Sequence, residues 1–367
     1  AAARKHLYDD YLDRLPRIMV MKDSPYPKTH HVLNRGDYAS PDLTKPVPSS
    51  APAAVMAFDP ALPRNRLGLA RWTIDRNNPL TSRVAVNRFW MQCFGNGIVP
   101  TQENFGLQGD PPTHQELLDS LAHDFVSGGW DVKRLLKRMV MSATFRQASA
   151  ATPEKLERDP RNQWLARGPA FRLSAEAIRD QALASAGLLV MKTGGPSVKP
   201  WQPAGLWSEA GASGGDYQPG NGEDLYRRSL YTYRKRTAPP PALLTLDAGS
   251  REICLARRMN TNTPLQPLLL LNDLSFFECA RTLAERCAMA HADPNGRCAA
   301  AFRILTCRDP REAEMMSMTK LYDSLLARYS QDPAATKAVT GQDRPGLAAL
   351  ALVCCALLSA DATVTVR

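Results

Sequence analysis

The feature that most constrains the fold is a series of helical segments with clear start and stop signals after residue 64. Asn78 and Pro79 form one helix start, apolar residues follow at helical spacing, and Gly95 ends the segment. Further starts are indicated at Thr113–Glu116, Asp131, Ser174, Ser250, Thr263–Pro264, Asp273, near Gly296, Asp309–Pro310 and Pro345. We therefore predict a mainly α protein, a multi-helix globular domain with one or two short β segments.

The first 63 residues follow a different pattern, because nine prolines interrupt them. Short β-like pieces at Ile18–Met21 and His31–Leu33 indicate at most one hairpin. We interpret residues 1–63 as an extended lead-in that continues an upstream region, and residues 64–367 as the helical domain. Since the chain starts AAARKHLYDD, without an initiator Met or an apolar signal region, we expect any signal peptide to lie upstream of this fragment.

Two segments carry the net charge. The chain has 34 arginines against 12 lysines and a formal net charge of +10. Residues 131–149 hold five basic and one acidic residue, and residues 225–258 hold eight and two, which together account for the whole excess. The first segment places its basic residues on one helix face. In the second, LYRRSLYTYRKRT at 225–237 is predicted to be a strand or an extended segment.

A long Gly/Pro-rich loop region, at about residues 192–224, precedes this second segment. The helix that begins at Ser174 is predicted to run as far as Gly194 and Gly195, where the loop takes over. Loops of this length inside a compact domain are often functional. We therefore expect the loop to contribute to any binding site.

No cofactor motif is visible. A hydrophobic content of 44% excludes intrinsic disorder, but the eight cysteines include no CxxC or CxxCH. Cys287 and His291 supply only two ligands, so we predict buried cysteines, no metal site and no haem in this fragment. Phosphate-loop, dinucleotide-binding and GxSxG motifs are also absent from the sequence. The longest apolar run, Gly346 to Leu358, is shorter than the roughly 20 residues of a membrane span, which predicts a buried helix and no membrane span.

The polar residues leave several functions open. In an enzyme of unrecognised type, His114 or Asp180 would move a proton in a pocket built from the loops 102–112 and 192–224 and the basic strand. The ligand-binding candidates, which could hold an anion or a glycan, are Arg88, Arg228, Tyr231, Lys235 and Arg236. Interleaved arginines and tyrosines also fit nucleic acid, although internal Arg–carboxylate pairing or a specific anionic pocket is the better prediction for them.

Three longer strings carry a resemblance to a known family. They are NPLTSRVAVNRFWMQCFGNGIVPTQENFGLQGDPPTHQELLDSLAHDFVSGGWDVKRLLKRMVMSATFRQAS, FRLSAEAIRDQALASAGLLVMKTGGPSVKPWQP and RRSLYTYRKRTAPPPALLTLDAGSREICLARRMNTNTPLQPLLLLND. From about Met19 onward the chain resembles the planctomycete-specific C-terminal domain of unknown function. By position, the elements of that family match RGDY at 35–38, Asn87 and Arg88 with Trp90, AExxRD at 175–180, and TNTPLQ at 261–266. None of these elements has an assigned role.

The resemblance implies a context for the chain. Members usually follow a planctomycete cytochrome c domain in one long exported polypeptide. We therefore expect a periplasmic or cell-surface location, an upstream cytochrome-like domain of the same chain as partner, and haem c in that upstream region. The chain would then be an accessory or interaction module with a redox or polysaccharide-related role, while enzyme activity and nucleic-acid binding stay open as alternatives.

Overall fold

Helices dominate the regular structure, which confirms the mainly α prediction. The computed structural model describes residues 5, 11, 15, 18–26, 28–211 and 215–366. Two compact units are distinguished. The first consists of the described residues up to Val86 with Glu116–Val132, and the second consists of Asn87–Gln115 with the described residues from Lys133 onward.

The described elements are as follows. The helices are α1 (Arg66–Thr73), α2 (Thr81–Phe94), α3 (Gln115–Ser127), α4 (Val132–Val140), α5 (Pro153–Arg158), α6 (Ala175–Ala186), α7 (Leu206–Glu209), α8 (Pro241–Thr245), α9 (Leu265–Asn272), α10 (Leu274–Ala290), α11 (Pro294–Thr306), α12 (Glu312–Gln331), α13 (Pro333–Thr340), α14 (Pro345–Ser359) and α15 (Asp361–Val364). The strands are β1 (His30–Leu33), β2 (Pro41–Val47), β3 (Phe171–Arg172) and β4 (Thr365–Val366).

The lead-in contains one hairpin, but its strands differ from the expected pair. β1 pairs antiparallel with β2, with His30 opposite Val47 and Leu33 opposite Pro41. Ile18–Met21, predicted as β-like, forms no strand. A turn explains the pairing, because the Asn34 N–H donates to the Ser40 carbonyl at 3.0 Å and returns the chain onto β1.

Several helix starts form as the sequence predicts. The Asn78 side-chain oxygen accepts from the N–H groups of Leu80 and Thr81 at 3.0 and 3.3 Å, ahead of α2. The Ser174 hydroxyl accepts from the Ala177 N–H at the start of α6. Each cap satisfies backbone donors that have no partner within the helix.

Two predictions around α6 are wrong. The helix stops at Ala186 instead of running to Gly194, because Gly187 adopts a φ of +78° and donates its N–H to the last turn. Residues 225–237 form no continuous strand. Short 3₁₀ turns at Gly222–Leu225 and Ser229–Tyr231 alternate with single β-bridges, such as Val198 to Thr232.

The helices predicted after residue 237 are also partly wrong. No helix begins at Ser250. Asp247 and Arg251, on either side of it, both adopt a φ of +66°, and this left-handed backbone cannot be part of a right-handed helix. α13 is not among the predicted helices, although Asp332 caps it and Pro333 occupies its first position.

The core of the second unit surrounds α14, which confirms the prediction of a buried helix for this apolar run. α14 contacts α9, α10, α11, α12 and α13. Small residues such as Ala280 and Ala284 of α10 and Ala349 of α14 are completely buried, so the helices can approach closely. Among the described residues, no helix is long and apolar enough to cross a membrane.

The cysteines are free thiols, and most of them pack in this core. Burial raises the pKa of Cys279 to about 12 and that of Cys298 to about 11. Cys287, Cys354 and Cys355 are buried as well. A buried thiol with a raised pKa stays protonated and unreactive. Cys307, by contrast, is exposed at the end of α11, contrary to the expectation of burial.

Asn87 holds the turn after α2 in place. Its side-chain oxygen accepts from the Val99 N–H at 2.8 Å, and its side-chain nitrogen donates to the Val99 carbonyl at 3.0 Å. Asn87 is 1% exposed and Val99 is 3% exposed, so the backbone groups of Val99 are shielded from water and depend on Asn87 for their hydrogen bonds. This gives a structural reason for the asparagine.

We expect Asn87→Ala to lower the free energy of unfolding by about 3 kcal/mol, since it leaves two buried backbone groups unsatisfied. Arg88→Ala is the matched control, because Arg88 is the next residue and is exposed. It should change stability by less than about 0.5 kcal/mol. Urea denaturation of both variants checks this, and equal effects would contradict the assigned role of Asn87.

Candidate functional site

The buried guanidinium of Arg179, on α6, binds the basic segment that the sequence singled out. Its Nη1 donates to the Arg227 carbonyl at 3.0 Å and to the Ser229 hydroxyl at 3.2 Å. Its Nη2 donates to the Leu225 carbonyl at 2.7 Å. We call residues 225–236 the docked segment. Because a buried guanidinium needs its hydrogen bonds, Arg179 determines how the docked segment lies on α6.

Asp180, the next residue of α6, anchors the same segment. Its Oδ1 accepts from the Ser229 N–H at 2.7 Å. Its Oδ2 lies 4.0 Å from Nε of the exposed Arg228, and its Oδ1 lies 3.9 Å from Nη1 of Arg179. The geometry therefore gives Asp180 a structural part, while its predicted part in proton transfer stays a prediction.

Arg227 connects the docked segment to the Gly/Pro-rich loop. Its guanidinium donates to the carbonyls of Lys192 and Pro196, each at 3.1 Å, and also to the Gly194 carbonyl. The same guanidinium lies over the Tyr231 ring, 3.8 Å from its centroid, where it makes a cation–π contact. The Tyr231 hydroxyl accepts from the Gly194 N–H at 2.8 Å. Tyr231, a predicted ligand-binding residue, thus has an internal role.

A second carboxylate, Glu176, binds two arginines. Arg234 Nη2 lies 2.6 Å from Oε1, and Arg258 Nη1 lies 2.5 Å from Oε2. Burial alone would raise the pKa of Glu176, but the hydrogen bond from Arg258 and the charges of both arginines lower it below its ordinary value of 4.5. Internal Arg–carboxylate pairing, which the arginine excess suggested, accounts for these side chains.

Two lysines and three aromatic rings form a separate group, the lysine–aromatic cluster. Lys199 Nζ lies 5.3 Å from the Trp207 ring centroid, 5.8 Å from that of Tyr217 and 5.6 Å from that of Tyr233. Lys235 Nζ lies 4.2 Å from the Trp207 ring centroid. Both ammonium groups are therefore held around one indole ring by cation–π contacts.

Backbone hydrogen bonds hold the cluster together. The Val198 N–H donates to the Tyr231 carbonyl at 2.8 Å, and the Tyr233 N–H donates to the Val198 carbonyl at 2.7 Å. The Tyr217 hydroxyl donates to the Pro200 carbonyl. Burial raises the pKa of Tyr217 to about 12, and the charge of Arg179 opposes this shift. The hydroxyl therefore stays protonated and can keep donating.

Within the cluster, exposure differs from residue to residue. Trp207 is 6% exposed and forms its floor, with the Tyr217 ring edge-on at 5.2 Å between centroids. Tyr233 is 38% exposed, and both lysines are half-buried. Part of each lysine and of Tyr233 is thus open to solvent.

The structure brings together only part of the predicted site. Lys235 belongs to the lysine–aromatic cluster, and the exposed Arg236 follows it. Arg88 is exposed on α2, and Nδ1 of His114 lies 3.1 Å from the Thr113 hydroxyl. Neither is linked to the docked segment by a hydrogen bond or an ion pair among the described residues. Their predicted ligand-binding and catalytic roles stay predictions.

Three residues of the cluster were not predicted as site residues from the sequence: Lys199, Trp207 and Tyr217. The signal was present, because all three lie in the loop region 192–224 that was expected to be functional. Nothing in the sequence showed that Trp207 of this loop would meet Lys235. Within the part of the chain that the structure describes, no group of three or more His, Cys, Asp or Glu residues could hold a metal ion.

Comparison with known proteins identifies the family of the chain. A family model described as "PSD1: Protein of unknown function (DUF1553)" matches residues 65–322, which is more than half of the chain. No curated protein and no solved structure matches.

We expect Arg179→Leu to lower the free energy of unfolding by about 3–5 kcal/mol, because the acceptors of the docked segment lose their buried donor. Trypsin should also cleave the variant faster than the wild type at Arg228 and Lys235, because the docked segment is no longer held on α6 and its backbone can enter the active site of the protease. Arg228→Leu removes an exposed arginine of the same segment and should leave stability nearly unchanged. Equal stability of the two variants would contradict the assigned role of Arg179.

The Glu176 pair gives a pH-dependent prediction. A carboxylate whose pKa is depressed by folding stabilises the fold above its unfolded pKa, near 4.5, and loses that contribution as the pH falls through its lower folded pKa. Glu176→Gln should therefore lower the free energy of unfolding by about 3 kcal/mol at neutral pH. The difference in free energy of unfolding between variant and wild type should become smaller below pH 4.5.

Denaturation curves at a series of pH values check this expectation. Glu154→Gln is the control, because its ion pair with Arg158 is exposed on both sides. Exposed ion pairs contribute about 0–1 kcal/mol to the free energy of unfolding, so Glu154→Gln should change it little at any pH. If the difference in free energy of unfolding between the wild type and Glu176→Gln stays constant below pH 4.5, the assigned role of the Glu176 carboxylate is wrong.

Proposed function

We propose, from the premise that this chain belongs to the PSD1 family of proteins of unknown function (DUF1553), that it is a noncatalytic recognition module for an anionic carbohydrate. The observation that carries the proposal is the lysine–aromatic cluster, in which Lys199 and Lys235 flank the Trp207 ring. Ammonium groups held beside aromatic rings suit a sugar that carries carboxylate or sulfate groups.

The arginines and the lysines of this region make different kinds of contact. Arg179, Arg227 and Arg234 are directed at carbonyl groups and carboxylates of the protein itself. Lys199 and Lys235 contact the aromatic faces of the cluster. A lysine is a compact point charge whose ammonium can bind an anion from several directions, whereas arginine suits fixed paired geometry. The lysines are therefore the better candidates for anion contacts.

Tyr233 would bind the apolar face of the sugar. Its ring is the most exposed of the three in the cluster, and it lies 6.0 Å from the Trp207 ring between centroids. A sugar ring presents an apolar face that can stack on tyrosine while its charged substituent meets the lysines. The proposal requires no proton transfer, so it does not depend on His114 or Asp180.

The expected context fits an accessory role. If the chain follows a cytochrome-like domain in an exported polypeptide, haem c would reside in that upstream domain, and this module would hold the protein on an anionic polysaccharide at the cell surface. The first basic segment, residues 131–149, which contains α4, is a solvated helix face in this proposal. Planctomycete origin, export and cytochrome linkage are parts of the proposal.

Calorimetry with two probes tests the proposal: a heparin-derived sulfated oligosaccharide and an oligogalacturonate. Lys199→Ala and Lys235→Ala should each weaken binding about tenfold, the effect of losing one charge-assisted contact. Tyr233→Ala should weaken binding of both probes as well. Lys133→Ala, on the exposed face of α4, is the matched control and should bind as the wild type does.

Three outcomes would reject the proposal. They are no binding of either acidic probe at low ionic strength, equal binding of a neutral oligosaccharide, and equal loss in the Lys133→Ala control. Tighter binding of single-stranded DNA than of both glycans would favour the nucleic-acid alternative, with affinity falling steeply as salt rises.

A further inference from the structure

Three arginines surround a single carboxylate at the start of α6. Arg234 and Arg258 bind the two oxygens of Glu176, at 2.6 and 2.5 Å. Burial lowers the pKa of Arg234, and the charge of Glu176 opposes this shift. The charges of Arg251 and Arg258 lower the pKa further, so Arg251 lies near the other two. We call Arg234, Arg251 and Arg258 the arginine cluster, and together with Glu176 it has an excess of two positive charges.

Two hydrogen bonds hold the turn before Arg251 beside the other members of the arginine cluster. Arg234 Nη1 donates to the Gly249 carbonyl at 3.1 Å. The Thr261 N–H donates to Asp247 Oδ2 at 2.7 Å, which ties the same turn to the chain just after the third arginine. The fold therefore keeps three like charges together, although they repel one another.

Arg251 is the unpaired member of the cluster. In the part of the chain that the structure describes, its side chain forms no ion pair and no hydrogen bond. Its backbone adopts a φ of +66°, in the left-handed region that is costly for a residue with a Cβ atom and that glycine adopts freely. An arginine at a position that favours glycine indicates a function for the guanidinium group.

The charge excess determines which ligand fits. Arg251 is exposed and the Arg258 side chain is 41% exposed, so both are partly open to solvent. Arginine binds phosphate oxygens in a bidentate geometry. A phosphate group carries about two negative charges at neutral pH, which matches the excess, whereas a carboxylate carries only one. We propose that Arg251 and Arg258, supported by Arg234, form a binding site for a phosphate group, either as the free ion or as a monoester.

Calorimetric titration of the full chain with inorganic phosphate and with glucose 1-phosphate tests the proposal, with acetate at equal ionic strength as the singly charged comparison. The wild type should bind phosphate more tightly than acetate. Binding of both phosphate probes would assign a monoester site, and binding of inorganic phosphate alone would assign a site for the free ion; both results support the proposal.

Arg251→Gly separates binding from folding. It should weaken phosphate binding about tenfold, the effect of losing one charge-assisted contact. Its thermal midpoint should be equal to that of the wild type or higher, because glycine accommodates the φ of +66° without strain.

Glu176→Gln should have the opposite effect on binding. The Glu176 carboxylate competes with the ligand for Arg258, so its removal should tighten phosphate binding about tenfold. Phosphate should therefore raise the thermal midpoint of this variant more than that of the wild type.

Two controls complete the experiment. Arg257→Ala removes an exposed arginine of the same segment that is already paired with Glu103 at 3.0 Å, and it should bind phosphate as the wild type does. Lys199→Ala should do so as well, because the arginine cluster shares no residue with the lysine–aromatic cluster. Equal binding of acetate, unchanged phosphate affinity in Arg251→Gly, or loss of phosphate binding in Lys199→Ala would overturn the proposal.

Discussion

The Arg179 guanidinium is the contact on which the candidate site depends. A charge that is buried on α6 must find acceptors, and it finds them in the backbone of the docked segment at Leu225 and Arg227 and in the Ser229 hydroxyl. Those carbonyls can converge on one side chain only because the backbone turns there, which a regular strand would not allow. The irregular path of the docked segment is thus a consequence of satisfying Arg179.

From that anchored segment the rest of the site follows. Arg227 binds the loop at residues 192–196, while the hydrogen bonds between Val198 and the docked segment align Lys199 with Lys235. The arginines stabilise the interior, and the lysines meet aromatic rings near the surface. The overall charge of +10 therefore combines two kinds of basic residue with different physical roles.

Local signals predicted the elements well where a single side chain decides the outcome. The caps at Asn78 and Ser174 and the apolar run of α14 were readable, because each acts within a few residues. The predictions that failed depended on distant partners. The run at 225–237 alternates like a strand, but Arg179, nearly 50 residues earlier, takes the carbonyls that a strand would have used in pairing.

The sequence by itself determined the mainly α class, most of the helix starts, the buried cysteine-bearing helix α14 and the concentration of positive charge in two segments. Only the tertiary structure decided which basic residues are internal and which reach a surface. It also brought Trp207 of the loop region to Lys235, and Lys199 to the rings of Trp207, Tyr217 and Tyr233. Composition and periodicity act along the chain, whereas the satisfaction of a buried charge and the meeting of distant side chains depend on packing in three dimensions.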